Sequence, residues 1–309
     1  MNSKYNRREF IQAGVAGLAS LAASPLLAET DAAKPTPKST EATPPPALTP
    51  VDIVRLGDSG LQVSRIAFGT GSVGYNKSSN QTRLGMEKFV ALARHAYSRG
   101  IQFFDMGDSY GSQPFVGQAI KEFPREKLTL MTKIWVEDDS KNKAGEIPKT
   151  IDRVLKEIGT SYLDILLMHC QMKGGWTKRR QQSMDALSKA KQEGRVKAVG
   201  VSCHNWNALV EAAESPWVDV IMARINPFGE MMDNKPDVVK ALLQKAIKNG
   251  KGVVAMKIFA EGKRIKTPER EQSIQYALQD VGVSCMTLGM ESFAQVDDAV
   301  ERVMRLRKK

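Results

Sequence analysis

QFFDMGDSYG (102–111), LTLMTKIW (128–135) and LDILLMHC (163–170) decide how this chain reads. Each is a short apolar run that leads into an ionisable side chain. The first ends at Asp105, with Tyr110 in the loop beyond; the second reaches Lys133 and the third His169. Runs of this length and composition signal β-strands. The segments between them carry apolar residues at helical spacing, such as Ile151, Leu155 and Ile158. Strands that alternate with helices in this way pair in parallel. In a (β/α)8 barrel the loops after the strands share one rim, so distant stretches of sequence meet there.

Working outward, strands are predicted at 65–68, 102–105, 128–133, 163–169, 196–202, 218–226, 252–259 and 283–289. Helices fill the gaps, among them 81–99, 146–158, 178–193 and 235–248. Gly100, Gly159, Gly194 and Gly250 stand where helices end. Ahead of the first strand, two short apolar runs flank Asp58-Ser59-Gly60, which reads as a β-hairpin. The fold class is therefore α/β, a (β/α)8 TIM barrel preceded by a hairpin. The alternative, a doubly wound sheet, calls for a G-x-G-x-x-G turn after its first strand. Here that strand runs into Gly69-Thr70-Gly71 without one.

The chain has 309 residues, 42% hydrophobic and 26% charged, which suits a globular protein with one large core. Residues 51–309 supply the roughly 250 residues that a barrel takes, leaving none for a second domain. Residues 1–28 carry Arg7-Arg8, then Phe10, then a Gly/Ala/Leu stretch. They resemble a twin-arginine signal cleaved near Ala28, so the expected partner during export is the twin-arginine translocon and the expected location is periplasmic. The apolar part is too short and too weak for a lasting membrane span. Residues 29–50, rich in Pro, Thr and Ala, read as a disordered tether. The net charge of +11 reads chiefly as solvated helix faces, with attraction to anionic substrates or cofactor phosphates as the functional alternative, and the chain lacks the aromatic–basic interleaving of nucleic-acid binders.

An acid, a phenol, an ammonium and an imidazole on one rim make a proton-delivery site. A free phenol has a pKa near 10, and an adjacent ammonium lowers it. Lys133 is expected to do this to Tyr110, with Asp105 holding Lys133 in place. His169 would donate to a carbonyl oxygen or share the proton with Tyr110. Trp135, just past Lys133, is a candidate wall of the substrate pocket, and Trp176 is a second aromatic near the rim.

FFDMGDSYG, LMTKIW, YLDILLMHC, GRVKAVGVSCHN and CMTLGMESFAQVDDAV together resemble the aldo-keto reductase superfamily, over about residues 53 to 304. The resemblance implies a barrel closed at its N-terminal end by the hairpin, and nicotinamide-dependent reduction of a small carbonyl substrate. It implies Tyr110 as proton donor, tuned by Lys133 and Asp105, with His169 orienting the substrate. Its implied cofactor-binding positions are Gly69, Thr70, Ser202, Cys203, Met222, Gly289, Met290, Ser292 and Gln295; Lys257 in MKIF is a further candidate, for a pyrophosphate, or a solvated strand-end lysine. Several depart from the family pattern. Cys203 replaces an Asn, Met222 a Gln, and Ile225 the aromatic that stacks on the nicotinamide. Glu291 and Ser292 stand where a Lys or Arg usually meets the 2′-phosphate. The expected cofactor is NADP or NAD.

His169-Cys170 and Cys203-His204 both fall on the predicted rim, where thiols and imidazoles can hold zinc or the two cysteines can pair. Packing of two buried strands explains them too and is preferred, so no metal is expected. The main functional expectation is an exported carbonyl reductase. The altered nicotinamide positions keep a second one open, an envelope binding or sensor subunit with little turnover.

Overall fold

The computed structural model describes residues 52–139 and 144–306. The expected signal and tether lie outside the described residues. Two antiparallel strands, β1 (Ile53–Arg55) and β2 (Gln62–Ser64), form the hairpin. Eight parallel strands then close into a barrel: β3 (Ile66–Gly69), β4 (Phe103–Asp105), β5 (Thr129–Ile134), β6 (Leu163–Gln171), β7 (Val196–Cys203), β8 (Val220–Arg224), β9 (Gly252–Met256) and β10 (Cys285–Gly289). Each pairs with its sequence neighbours, and β10 returns to β3. The architecture is the (β/α)8 barrel expected from the alternation of elements.

Side chains alternate in and out along each strand, and this sorts the core into two layers. Ala67, Phe103, Met131, Ile165, Leu167, Ala198, Val220, Met222, Val254 and Cys285 fill the barrel interior. Their neighbours Phe68, Phe104, Leu130, Leu166, Met168, Val199, Val201 and Ile221 pack outward against helices. The hairpin contributes Leu56, Leu61 and Val63 to the inner layer. Asp58 N–H donates to Gly250 O at 2.7 Å, just before β9, and Thr129 Oγ1 at the start of β5 donates to Gln62 O at 3.3 Å. The hairpin therefore plugs the end where strands begin, and the other end is left open.

The helices are α1 (Asn80–Arg83), α2 (Met86–Ser98), α3 (Gln113–Ile120), α4 (Ile147–Ile158), α5 (Trp176–Arg179), α6 (Gln181–Gln192), α7 (Trp206–Glu214), α8 (Pro236–Lys248), α9 (Thr267–Gln275) and α10 (Phe293–Arg305). In α4 the apolar stripe Ile147, Ile151, Val154, Leu155 and Ile158 is buried, and Gly159 ends the helix at φ 79°. Local conformation corrects some expected boundaries. The helix expected over 81–99 is two, because Gly85 at φ 84° precedes α2. The helix expected over 178–193 is also two, divided at Arg180, whose guanidinium bonds Val136 O. The strand expected over 252–259 stops at Met256, since Lys257 turns at φ 56°. β6 runs on to Gln171 through an irregularity in register, with Cys170 at φ 59°.

Leu56 is fully buried in the plug. Leu56→Ala is expected to cost about 2–5 kcal/mol, as a cavity in a packed core does. Urea unfolding should show a lower midpoint at unchanged slope; an unchanged midpoint would mean that the hairpin is dispensable.

Candidate active site

The open rim collects the inward-facing residues at the strand ends. Asp105 closes β4 and Lys133 sits on β5, both buried and on the inner register. Their carboxylate and ammonium form an ion pair. Lys133 Nζ also donates to Met106 O at 2.7 Å, and Thr287 on β10 donates to Asp105 Oδ2 at 2.8 Å. Each charge thus has a second bond, which a buried pair needs to offset its lost hydration.

Tyr110 ends a short 3-10 turn, Asp108–Tyr110, and Gly111 at φ 65° turns the chain away. The Tyr110 ring rests on bare backbone. A Cβ added to Gly71, Gly74 or Gly107 would come within 2.2, 2.4 or 2.6 Å of it. Asp108 ties this turn to its surroundings through Lys77 at 2.5 Å and Arg153 at 2.7 Å, and Lys77 N–H donates to Ser109 O at 2.8 Å. So held, the Tyr110 hydroxyl lies 3.4 Å from His169 Nε2, with the two rings edge-on and their centroids 5.6 Å apart. Lys133 Nζ is 5.2 Å from the Tyr110 ring centroid. Trp135 is 54% exposed at the mouth, and its ring centroid is 4.9 Å from that of His169.

The electrostatics correct one expectation. The Tyr110 pKa is raised, not lowered: burial pushes it up, and the negative charge of Asp105 adds to this. Lys133 is neutralised by its partner, so its ammonium does not dominate at the phenol. Tyr110 therefore stays protonated. His169 is pulled down to about 3 by burial, then by Lys133, His204 and Lys257. It is neutral at ordinary pH, and a neutral imidazole has one donor and one acceptor nitrogen. Its Nδ1 is buried with no hydrogen-bond partner among the described residues.

The expected cofactor positions divide into exposed and enclosed groups. Gly69 is buried, and fully buried Thr70 bonds Asp105 O at 2.9 Å and Ser112 Oγ at 2.7 Å. Ser202 is buried and accepts from Cys170 N–H at 2.7 Å. Met222 faces the barrel interior, whereas Cys203 points outward, its thiol 3.7 Å from Ala208 O. Lys257 pairs with Glu261. Gly289 is exposed and Met290 buried. Ser292 caps α10 by accepting from Gln295 N–H at 3.3 Å, and Gln295 Oε1 accepts from Glu291 N–H at 2.6 Å. Ile225, expected to replace the stacking aromatic, lies fully buried in the outer layer and faces away from the rim. Trp176 is likewise buried, its indole N–H bonded to Ala208 O. Cys170 and Cys203 are both free, and no group of His, Cys, Asp and Glu among the described residues is arranged to hold a metal ion.

Residues 65–308 match the Aldo/keto reductase family. This chain belongs to that family. It is 26% identical to L-galactose dehydrogenase of Arabidopsis thaliana over 84% of this chain and 90% of the relative. It is 25% identical to an NADH-specific methylglyoxal reductase of Escherichia coli over 59% of this chain and 61% of the relative. An aldo-keto reductase structure from Bacillus halodurans shares the fold, with TM-score 0.65 and 21% identity over 84% of this chain and 93% of that one. The chain is thus an aldo-keto reductase.

Sequence reasoning missed two supports of this reductase's site. Thr287 is the inward residue of CMTLG (285–289), two places after Cys285; alternation points it inward, and the fold brings it to Asp105. The glycine shelf was visible as the cluster Gly71, Gly74 and Gly107, but only the fold brings it under one ring.

The imidazoles give a pH dependence of stability. His204, like His169, is pulled to about 3 by burial and nearby cations, from an ordinary value near 6.5. Between those values the unfolded chain takes up protons that the folded one does not. Their contribution is therefore complete above pH 6.5 and is lost as pH falls through that window. The melting midpoint should drop between roughly pH 7.5 and 5, less steeply in His204→Asn. Identical slopes would show that His204 is not held neutral.

Proposed function

We propose that this reductase is an exported enzyme that interconverts an aldehyde or ketone and its alcohol with NADH or NADPH. The observation that carries the chemistry is the Tyr110 hydroxyl 3.4 Å from the neutral His169, beside the Asp105–Lys133 pair. A carbonyl oxygen seated between phenol and imidazole would be polarised by one or both. Tyr110 donates the proton as negative charge develops on that oxygen, which makes the oxygen a far stronger base than the resting carbonyl. His169, held neutral, positions the oxygen without adding a competing charge. Asp105, held by Thr287, fixes Lys133, and the matched charges of the pair leave the phenol protonated. Exposed Trp135 borders the substrate beside His169.

The residues fit a nicotinamide dinucleotide. Ser202 offers a hydroxyl, Lys257 a cation, and the 13-residue α10 an N-terminus capped by Ser292, where oriented N–H groups favour an anion. When bound, the dinucleotide supplies the hydride. Gly69, Thr70, Met222, Gly289, Met290 and Gln295 belong to this proposed cradle by resemblance, with Gly69 and Thr70 shaping its inner wall. Glu291 bears on cofactor choice: Asn80 Nδ2 holds its carboxylate at 2.7 Å, beside the start of α10. A negative charge there disfavours a 2′-phosphate, which supports use of NADH. The similar E. coli reductase is named as NADH-specific.

Export is supported by Arg7-Arg8, Phe10 and the apolar stretch that follows. No helix among the described residues is long and apolar enough to cross a membrane. The twin-arginine route would carry a folded barrel through its translocon.

Two measurements test this proposal. Tyr110→Phe should lower kcat by about 100-fold or more with an aldehyde panel, as loss of a general acid does, while dinucleotide affinity stays near wild type. A fully active variant would remove Tyr110 from the chemistry, and wild type inactive with both cofactors would favour a binding subunit. Glu291→Gln should raise NADPH affinity relative to NADH about two- to tenfold; an unchanged ratio would place the phosphate elsewhere.

A further inference from the structure

One ion pair at the rim has no part in proton delivery. Arg224 ends β8 on the inward register of Val220 and Met222. Its guanidinium pairs with Asp233, which comes from the loop between β8 and α8. The Asp233 side chain is 0% exposed and that of Arg224 14%. The pairing is incomplete: Arg224 Nε and Asp233 Oδ2 are both buried without a hydrogen-bond partner among the described residues. A guanidinium presents paired N–H donors that match a carboxylate or phosphate in two parallel bonds. Here one edge of that fork is unused, and Asp233 meets it through a single oxygen.

The position of this fork relative to the chemistry is also defined. Ser202 pairs with Met222, so the next inward residue on each side, His204 and Arg224, follows on the same rim. The charge of Arg224 helps hold His204 neutral and acts on the thiol of Cys170, the neighbour of His169. His169 itself responds to Lys133, His204 and Lys257. The register thus puts Arg224 on the same rim as His204 and the strand end that carries His169.

We propose that Arg224 anchors a carboxylate or phosphate on the substrate, remote from the reacting carbonyl, and that Asp233 occupies this anchor until the substrate arrives. This deepens the carbonyl-reductase proposal and rests on it. The substrate class is then an acidic aldehyde or ketone. The incoming oxyanion would complete the fork through Nε, and Asp233 would yield its bond. Asp233 would leave the pair by taking up a proton from solvent, since burial already raises its pKa and favours the neutral acid.

The test compares 4-carboxybenzaldehyde with 4-carbamoylbenzaldehyde, which differ in charge more than in shape. The purified mature protein should prefer the acid in kcat/KM. Arg224→Gln should reduce the acid-to-amide ratio by about tenfold or more, the worth of a charge-assisted hydrogen bond. Asp233→Asn should increase that ratio, an effect that a merely structural pair would not give. A ratio unmoved in both variants would overturn the proposal. So would a loss in Arg224→Gln confined to dinucleotide affinity, which would assign the cation to the cofactor diphosphate. Calorimetry with the two product alcohols separates this from failure of the reductase proposal. If wild type reduces neither aldehyde, weaker binding of the acidic alcohol to Arg224→Gln than to wild type still supports the anchor, and equal binding removes it.

Discussion

Everything at the rim is arranged around the buried pair of Asp105 and Lys133. An ammonium that is 2% exposed is tolerable only beside its carboxylate, and the carboxylate only with Thr287 on its other oxygen. The pair joins β4 to β5, and Thr287 brings in β10. These contacts are also what decides the state of the phenol. With the positive charge matched at once by a negative one, the field at Tyr110 is set by burial and by Asp105, so the proton stays on the oxygen. Loss of Asp105 would leave a buried cation and loss of Lys133 a buried anion.

Much of this was legible in the sequence. The alternation of apolar runs and helical stripes gave the barrel, and strand ends located Asp105, Lys133 and His169 on one rim. The period of two along β10 would have pointed Thr287 inward, but it was overlooked. What stayed hidden were quantities that depend on distances across the fold. Whether Lys133 lowers the Tyr110 pKa depends on how closely Asp105 cancels it, which no spacing reveals. The outward turn of Cys203 and Ile225 depends on the register of β7 and β8, since a shift of one residue reverses every side chain. The breaks at Gly85 and Lys257 come from positive φ values, and Lys257 is not a residue type that announces one.

On the proposed roles, the barrel lets a cofactor cradle change while the proton site does not. Tyr110, Lys133 and Asp105 lie on β4, β5 and the loop after β4, while Ser202, Lys257 and Ser292 belong to β7 and the segments after β9 and β10. Each strand end can change its side chain without moving the others, because the packed interior and the hairpin plug hold the strands themselves. Met222 fits this independence: it extends the apolar interior at a strand end expected to face the cofactor.

The shelf beneath Tyr110 has a different kind of consequence. Main chain at Gly71, Gly74 and Gly107 has no rotamers to adjust, so the shelf beneath the ring can give way only if a whole loop shifts. Most binding sites can drift by gradual exchange of neighbouring side chains for slightly larger or smaller ones. Here even a single methyl group overlaps the ring. Inheritance can therefore retune side chains around the mouth of the barrel, but the seat of Tyr110, the proposed acid, does not admit such gradual exchange.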